Sequence, residues 1–517
     1  MKESAETKIL LTGDDLRIKD ILRLVENSDV EVEIDKKSLA KIQKSRDFLE
    51  SAMKKRVIYG VNTGFGPMAS HIINKDQLKD LQRNLILSHA AGMGEQLPDK
   101  YVLATLIVRL NTLAKGYSGV SLPLIQQLKL FINHRIIPII PEHGAVGTSG
   151  DLVQLAHIAL ALIGEGHVMY KGKKYKTAVL LKQLKIKPYR LKAKEGLSLI
   201  NGTSAMTGIS ALLVVEADRL LRIAIQTGAL ALEAVHGFDD SIIATLHDLR
   251  PHKGQKSIAR ELRSIVASST MLRNRGNFQN KIHITDTTHE IPESVQEFYS
   301  LRCIPQILGP VSDTIEKTRK VVEIEMNSVT DNPIVDEKNK SFLHGGNFHG
   351  DYIASSIDQL KMTLVKLTML SERRANFFLN EHVNNFLPPF INLGTPGLNL
   401  SLQGLQFVAT STTADNQTLA FPHYVHSIST NGDNQDIVSM GTDAALFTAK
   451  VIENAYTVLS IEAITLCQAI DFLKEKDKLS KDSTKFVDSV RSVFPVVTND
   501  RVIVNELQKT VELLKEF

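Results

Sequence analysis

Gly144-Ala-Val-Gly-Thr-Ser-Gly-Asp-Leu152 carries three glycines within seven residues and runs straight into an apolar helical pattern. Glycine admits positive φ and close backbone approach that a Cβ would forbid. Two uses of such a turn are open. In one, Ser149 and Asp151 cap an ordinary buried helix over residues 151–164. In the other, Thr148, Ser149 and Gly150 bend so tightly that the Gly150 amide nitrogen attacks the Thr148 carbonyl carbon. Loss of water, including the Ser149 hydroxyl, then leaves a five-membered ring with an exocyclic methylene. That ring is an electrophile that no standard side chain provides.

Gly-Thr-Ser-Gly-Asp-Leu-Val-Gln-Leu-Ala-His157 resembles the signature of the aromatic amino acid lyases, which include histidine, phenylalanine and tyrosine ammonia-lyases and the related 2,3-aminomutases. Further blocks resemble that family in the same order. They are Val57-Ile-Tyr-Gly-Val-Asn-Thr-Gly-Phe-Gly66, Asn84-Leu-Ile-Leu-Ser-His-Ala-Ala-Gly92, Leu199-Ile-Asn-Gly-Thr203, Gln296-Glu-Phe-Tyr-Ser-Leu-Arg-Cys303, Gly345-Gly-Asn-Phe-His349 and Asn434-Gln-Asp-Ile-Val-Ser-Met440. The resemblance implies that Thr148-Ser149-Gly150 cyclises to 4-methylideneimidazol-5-one, with no metal and no diffusible cofactor. Thr148 stands where alanine is usual. Only its backbone enters the ring, so cyclisation is expected to survive the change.

The same resemblance assigns roles residue by residue. Tyr59 matches the catalytic tyrosine. A phenol ionises near ~10, so positive potential from helix amino termini or Arg302 must favour its deprotonated form. Arg302 matches the carboxylate clamp, for which a planar guanidinium fork is suited. Tyr299 and Asn201 match residues that position the electrophile and its carbonyl region. Gly66, Gln296 and Phe348 complete the pocket. Ser88 and His89 occupy the ring-recognition position, where a polar pair points to a substrate ring with a hydrogen-bonding group. Histidine-specific members typically carry glutamate where this chain has Gln435. His89 with Gln435 therefore points to a phenol, and the chain resembles the bacterial tyrosine ammonia-lyases. The implied reaction is L-tyrosine to p-coumarate and ammonia. The alternatives are L-histidine to urocanate, a 2,3-aminomutase, and a helical scaffold without activity.

Composition sets the outer limits. With 517 residues, 43% hydrophobic and 23% charged, the chain has the makeup of a globular protein of more than one packed region. Its net charge of +4 is spread along the chain. Basic patches such as Lys171-Gly-Lys-Lys-Tyr-Lys176 lack aromatic interleaving, so no nucleic-acid partner is expected. Cys303 and Cys467 form no disulfide framework or metal-ligand pattern. His143, His157, His344 and His349 have no metal-site spacing, and no metal is expected. The charged start, Met1 to Lys8, lacks an apolar core of a signal peptide, and no run approaches the ~18 apolar residues of a membrane span. A cytoplasmic protein with no membrane partner is expected.

The elements that must position these residues are mainly helical. Residues 8–12 and 30–34 read as strands, with a small helix starting near Asp14 and another from Ser38. Residues 59–67 read as a mobile lid loop. Helical patterns follow at 76–92, 99–115 and 122–134, and a small hairpin is expected around Lys171-Gly-Lys173. From residue 198 the pattern becomes long helices, at 203–235, 305–328, 350–380 and 445–473. Residues 236–295 read as polar surface connection and the tail beyond 480 as amphipathic helix. Long helices must bury faces against one another, so a helical bundle is expected over 199–517, with a smaller mixed region over 1–198 carrying the lid and cyclising loops. The resemblance places this bundle in the fumarase/aspartase-like superfamily. It also implies a homotetramer, acting on a small aromatic amino acid, with active sites built from several subunits.

Overall fold

The computed structural model describes residues 7–280, 286–291 and 294–517. The charged start of the chain, apart from its last two residues, lies outside them. The described residues are mainly helical, as expected, with short strands in four small sheets. They fall into two compact units that are discontinuous in sequence. The first comprises Met1–Val215, Thr318–Asp358 and Pro422–Thr448, and the second Glu216–Lys317, Gln359–Phe421 and Ala449–Phe517.

In the first unit, Lys8–Leu11 pairs in parallel with Glu31–Ile34. Ile9, Leu11, Val32 and Ile34 point inward from this ribbon, the period-2 alternation of a half-buried strand. The first helix starts at Ile18 and not near Asp14. Thr12 Oγ1 accepts from the Asp14 amide, and the Asp20 carboxylate accepts from the Arg17 amide, so side chains tie residues 12–17 into a turn. The hairpin forms as expected. His167–Tyr170 pairs antiparallel with Lys173–Lys176, and Lys171 and Gly172 both take positive φ, as a two-residue hairpin turn requires. Three further strand pairs were not expected from the sequence, Met93–Gln96 with Pro141–His143, Ile137–Pro138 with His167–Tyr170, and Ile334–Asp336 with Ser341–Leu343.

The four long helices are Ser204–Ala234, Ile304–Met326, Asp351–Leu379 and Gly441–Leu473. The last is apolar and long enough to cross a membrane by composition alone, and 78% of its most apolar window is buried within the protein. In the second unit, Arg374 and Glu462 form a fully buried ion pair, with Thr227 and Ser371 hydroxyls donating to the carboxylate. Residues 236–295 are not simply surface connection. Lys253–Val266 is a helix that buries Ile258, Ala259, Leu262 and Val266 at three- and four-residue spacing.

At the start of the helix Lys481–Val493, Ser480 Oγ accepts from the Ser483 amide at 3.1 Å, a buried cap. Ser480→Ala is expected to lower stability by about 1 kcal/mol, read as a shift of the urea midpoint at constant slope.

Candidate active site

Three helices of the first unit converge on the cyclising loop. Leu78–His89 ends at the pair Ser88-His89, Leu152–Leu162 starts just after the loop, and Glu195–Ile200 ends just before Asn201. Each packs on the other two. Gly196 allows the closest approach, because a Cβ there would stand 2.6 Å from the Gln82 carbonyl oxygen.

The loop itself is gripped from both sides. The Gly202 amide donates to Ser149 O at 3.0 Å, and the Gly202 carbonyl accepts from the Asp151 amide at 2.8 Å. Ser149 has φ +50° and Gly150 has φ +80°. A Cβ on Gly150 would collide with the Gly202 backbone, so only glycine fits here. On the other side, the Met440 amide donates to Val146 O at 3.2 Å, joining the loop to the block that holds Gln435. This strained, backbone-to-backbone cradle fits the methylideneimidazolone. It holds the tripeptide bent with positive φ at its second and third residues, and leaves no room for a side chain on the nucleophilic residue.

Asp151 anchors the loop to the start of the helix Ser204–Ala234. Its Oδ2 accepts from the amides of Ala205 and Met206 at 2.7 and 3.0 Å, two first-turn donors of Ser204–Ala234. Its Oδ1 accepts from Thr442 Oγ1 at 2.6 Å. Burial raises its pKa to about 6, against the pull of these donors and of Arg109. Asn201 is buried, and its Nδ2 donates to Asp331 Oδ1 and Asn332 O at 3.2 and 3.1 Å. Asp331 also pairs with the buried Lys194 at 2.7 Å. Burial pushes the Asp331 carboxyl up, but the Lys194 ammonium and the Arg109 guanidinium outweigh it and hold it below the usual range.

The remaining first-unit residues surround this frame. Tyr59 lies in the glycine-rich loop, where its Oη accepts from the Gly66 amide at 3.1 Å and its ring meets Phe65 edge-on. A Cβ on Gly66 would stand 2.6 Å from Asn431 Nδ2, so the Tyr59 loop touches the turn that carries Gln435. That turn is closed by Thr430 and Gln435 backbone bonds, and Thr430 Oγ1 donates to Gln435 Oε1 at 3.3 Å. His89 Nδ1 lies 2.9 Å from Leu85 O and 3.0 Å from Ser88 Oγ. A carbonyl partner makes Nδ1 a donor, so in the neutral ring Nε2 is an acceptor. Phe348 is half-buried in the loop after Ser341–Leu343, and Asn332 ties this loop in by accepting from the Gly345 amide at 3.0 Å.

Gln296, Tyr299 and Arg302 belong to the second unit. Gln296 and Arg302 line a cavity of about 200 Å³ with Asp240, Arg275, Glu297 and Gln306. The Arg302 guanidinium lies 4.7 Å from the Tyr299 ring centroid, and its buried Nε has no hydrogen-bond partner. Tyr299 is 69% exposed, and Arg302 beside it is half-buried.

Sequence reasoning missed three residues that hold this frame. Gln82 Nε2 donates to Gly60 O and its Oε1 accepts from the Leu197 amide, linking the Tyr59 loop to the Asn201 helix. Arg109 and Asp331 are the others. Among the described residues no group of three or more His, Cys, Asp or Glu is placed to hold a metal ion.

A family model described as aromatic amino acid lyase matches residues 16–492. The chain is 38% identical over 510 residues to histidine ammonia-lyase of Macrococcus caseolyticus, covering 98% of each. Among solved structures it is similar to tyrosine aminomutase from Streptomyces globisporus, with TM-score 0.95 and 36% identity over 98% of this chain and 97% of that one. It is also similar to histidine ammonia-lyase from Trypanosoma cruzi, with TM-score 0.88 and 33% identity over 98% and 93%.

Proposed function

The chain belongs to the aromatic amino acid lyase family, and from that premise we propose that it is an ammonia-lyase, removing ammonia without oxidation from an aromatic α-amino acid. The observation that carries this reading is the grip of Gly202 on both sides of Ser149-Gly150, which suits formation of a methylideneimidazolone from Thr148-Ser149-Gly150. That group supplies an electrophilic methylene, through which a poor leaving group becomes a better one. Tyr59 is the base, and the Gly66 amide is a donor to its oxygen that stays bound when the proton leaves. Arg302 holds the substrate carboxylate, with Tyr299 and Gln296 beside it. Asn201 positions the ring carbonyl. Assembly as a homotetramer with sites combining residues of several subunits is part of the same reading, as is a cytoplasmic location.

His89 recognises a ring that carries a hydrogen-bonding group, through its Nε2 acceptor. The relatives named histidine ammonia-lyase support L-histidine as substrate, and they favour it over the tyrosine reading. L-tyrosine is the second reading, and one residue favours it. Gln435 offers a neutral amide, which suits a phenol, in place of the carboxylate an imidazole would use. The likeness to tyrosine aminomutase makes a β-amino acid the third product to look for.

Purified protein assayed separately with L-histidine, L-tyrosine and L-phenylalanine, with products resolved by HPLC, is expected to release ammonia and an arylacrylate. No product from any of the three would refute the reading. Gln435→Glu is expected to raise the ratio of kcat/KM for histidine over tyrosine by about tenfold or more, the scale of one pocket hydrogen bond to a charged group. An unchanged ratio would remove Gln435 as a specificity residue.

A further inference from the structure

Arg109 sits within the helix Asp99–Ala114 and is wholly buried in the first unit. Its Nη2 donates to Ser198 O, while Nε and Nη1 have no hydrogen-bond partner. Open N–H groups on a buried guanidinium are costly, so a fold that keeps them needs an offsetting gain. Part of it is electrostatic, from the Asp151 and Asp331 carboxylates. The rest is a matter of place. Nη1 stands 2.6 Å from where a Cβ would project from Gly202, and Thr330 Oγ1, also without a partner, closes the same space. Gly202, at φ +135°, is therefore wedged between Arg109 and Thr330 on one side and the ring-forming backbone on the other. Its amide holds Ser149 O and its carbonyl holds the Asp151 amide. The charge that faces Gly202 from behind also balances the carboxylate that ties Asp151 to Ser204–Ala234.

We infer that Arg109 is a positioning residue for the cyclisation: it braces Gly202 against Ser149 and Asp151 and so compresses Thr148-Ser149-Gly150 into attack geometry. The inference rests on the ring-forming reading above and deepens it. In the step it serves, the Gly150 nitrogen bonds to the Thr148 carbonyl carbon. The Thr148 oxygen leaves as water with the Gly150 and Ser149 amide protons, and a ring C=N bond forms. A second water takes the Ser149 hydroxyl and the Ser149 Cα hydrogen, and the methylene C=C bond forms. The balance needs no oxidant or reductant. Arg109 acts through Gly202 and Asp151, and takes no proton itself.

The test is an intact-mass time course on freshly synthesised wild-type, Arg109→Lys and Arg109→Met proteins, read only on the folded fraction from size exclusion. Wild type is expected to lose about 36 Da, two waters. Arg109→Met, which keeps most of the volume without the charge or the fork, is expected to cyclise at least tenfold more slowly. Arg109→Lys, which keeps the charge, is expected to fall between them. A merely structural role would lower the melting temperature of both variants and leave their folded fractions fully cyclised at the wild-type rate, which would overturn the inference. Should Arg109→Met yield no folded protein, Arg109→Lys decides alone, and cyclisation at the wild-type rate overturns the inference. A wild-type protein that keeps its full mass overturns the ring-forming reading itself, and Arg109 with it.

Discussion

The Ser149→Ala protein is expected to fold, to lack the loss of about 36 Da that marks the complete ring, and to fall in lyase activity by about a thousandfold or more, the scale for removing a reacting group. The mass follows from the atoms, since alanine has no hydroxyl to leave and the exocyclic methylene cannot form. The fold is expected to stand because what grips this residue is backbone. Ser149 O accepts from the Gly202 amide, and no side-chain bond of Ser149 contributes to the frame among those that hold the loop. Alanine at φ +50° is no more strained than serine, so stability should change by about 0.5 kcal/mol or less. Gly150→Ala separates the two effects from the other direction. Its Cβ would run into the Gly202 backbone, so it should lose the ring and the local grip together. Intact mass, circular dichroism and HPLC of product on the two variants give the comparison. Wild-type turnover in folded Ser149→Ala would remove the electrophile from the mechanism.

The long helices were legible because their apolar spacing is sustained. Expected bounds of 203–235 and 350–380 meet Ser204–Ala234 and Asp351–Leu379 to within a residue. The pair Met93–Gln96 and Pro141–His143 was not legible, because all four residues of the first strand are exposed and no alternation marks it. Lys253–Val266 was obscured by its polar first turns, although Ile258, Ala259, Leu262 and Val266 carry a helical period on their own. In the candidate site, the glycine-rich loops and the polar pair Ser88-His89 stand out locally, since unusual backbone and clustered motif residues leave a mark on the sequence. Gln82, Arg109 and Asp331 leave none. Each is a lone polar residue whose partner lies far along the chain: 115 residues separate Gln82 from Leu197, 89 separate Arg109 from Ser198, and 130 separate Asn201 from Asp331. Local periodicity carries no information about such pairs. Only the tertiary structure reveals that these buried groups share one frame.

Asp151→Ala is expected to cost about 3–9 kcal/mol, from three buried donors each losing a partner at about 1–3 kcal/mol, and to reduce the cyclised fraction with it. The Ala205 and Met206 amides and the Thr442 hydroxyl have no other acceptor in view, and the first two are end groups of a helix that cannot satisfy them internally. Asp151→Asn should be far milder. Its amide oxygen can still accept from both backbone donors, and the Thr442 hydroxyl can turn to accept from Nδ2. The pair of variants also isolates a pH effect whose sign is opposite to that of a salt-bridged carboxylate. Burial raises the Asp151 pKa to about 6 in the folded protein, above the ordinary value of 3.8. The folded state therefore keeps a proton that the unfolded chain has already released above about pH 4. The stability this proton contributes is fully present below pH 4 and is lost as pH rises through 6, by about 3 kcal/mol at most for a shift of about two pKa units. Asp443, half-buried with a pKa also raised to about 6, adds a step of its own, but it is present in wild type and variant alike and cancels in their difference. Melting temperatures of wild type and Asp151→Asn should accordingly diverge between pH 4 and 7, with the variant gaining on wild type as pH rises. Parallel profiles across that window would mean that the three donors hold Asp151 ionised at no net cost, and that burial of this carboxyl is not what the loop anchor stores.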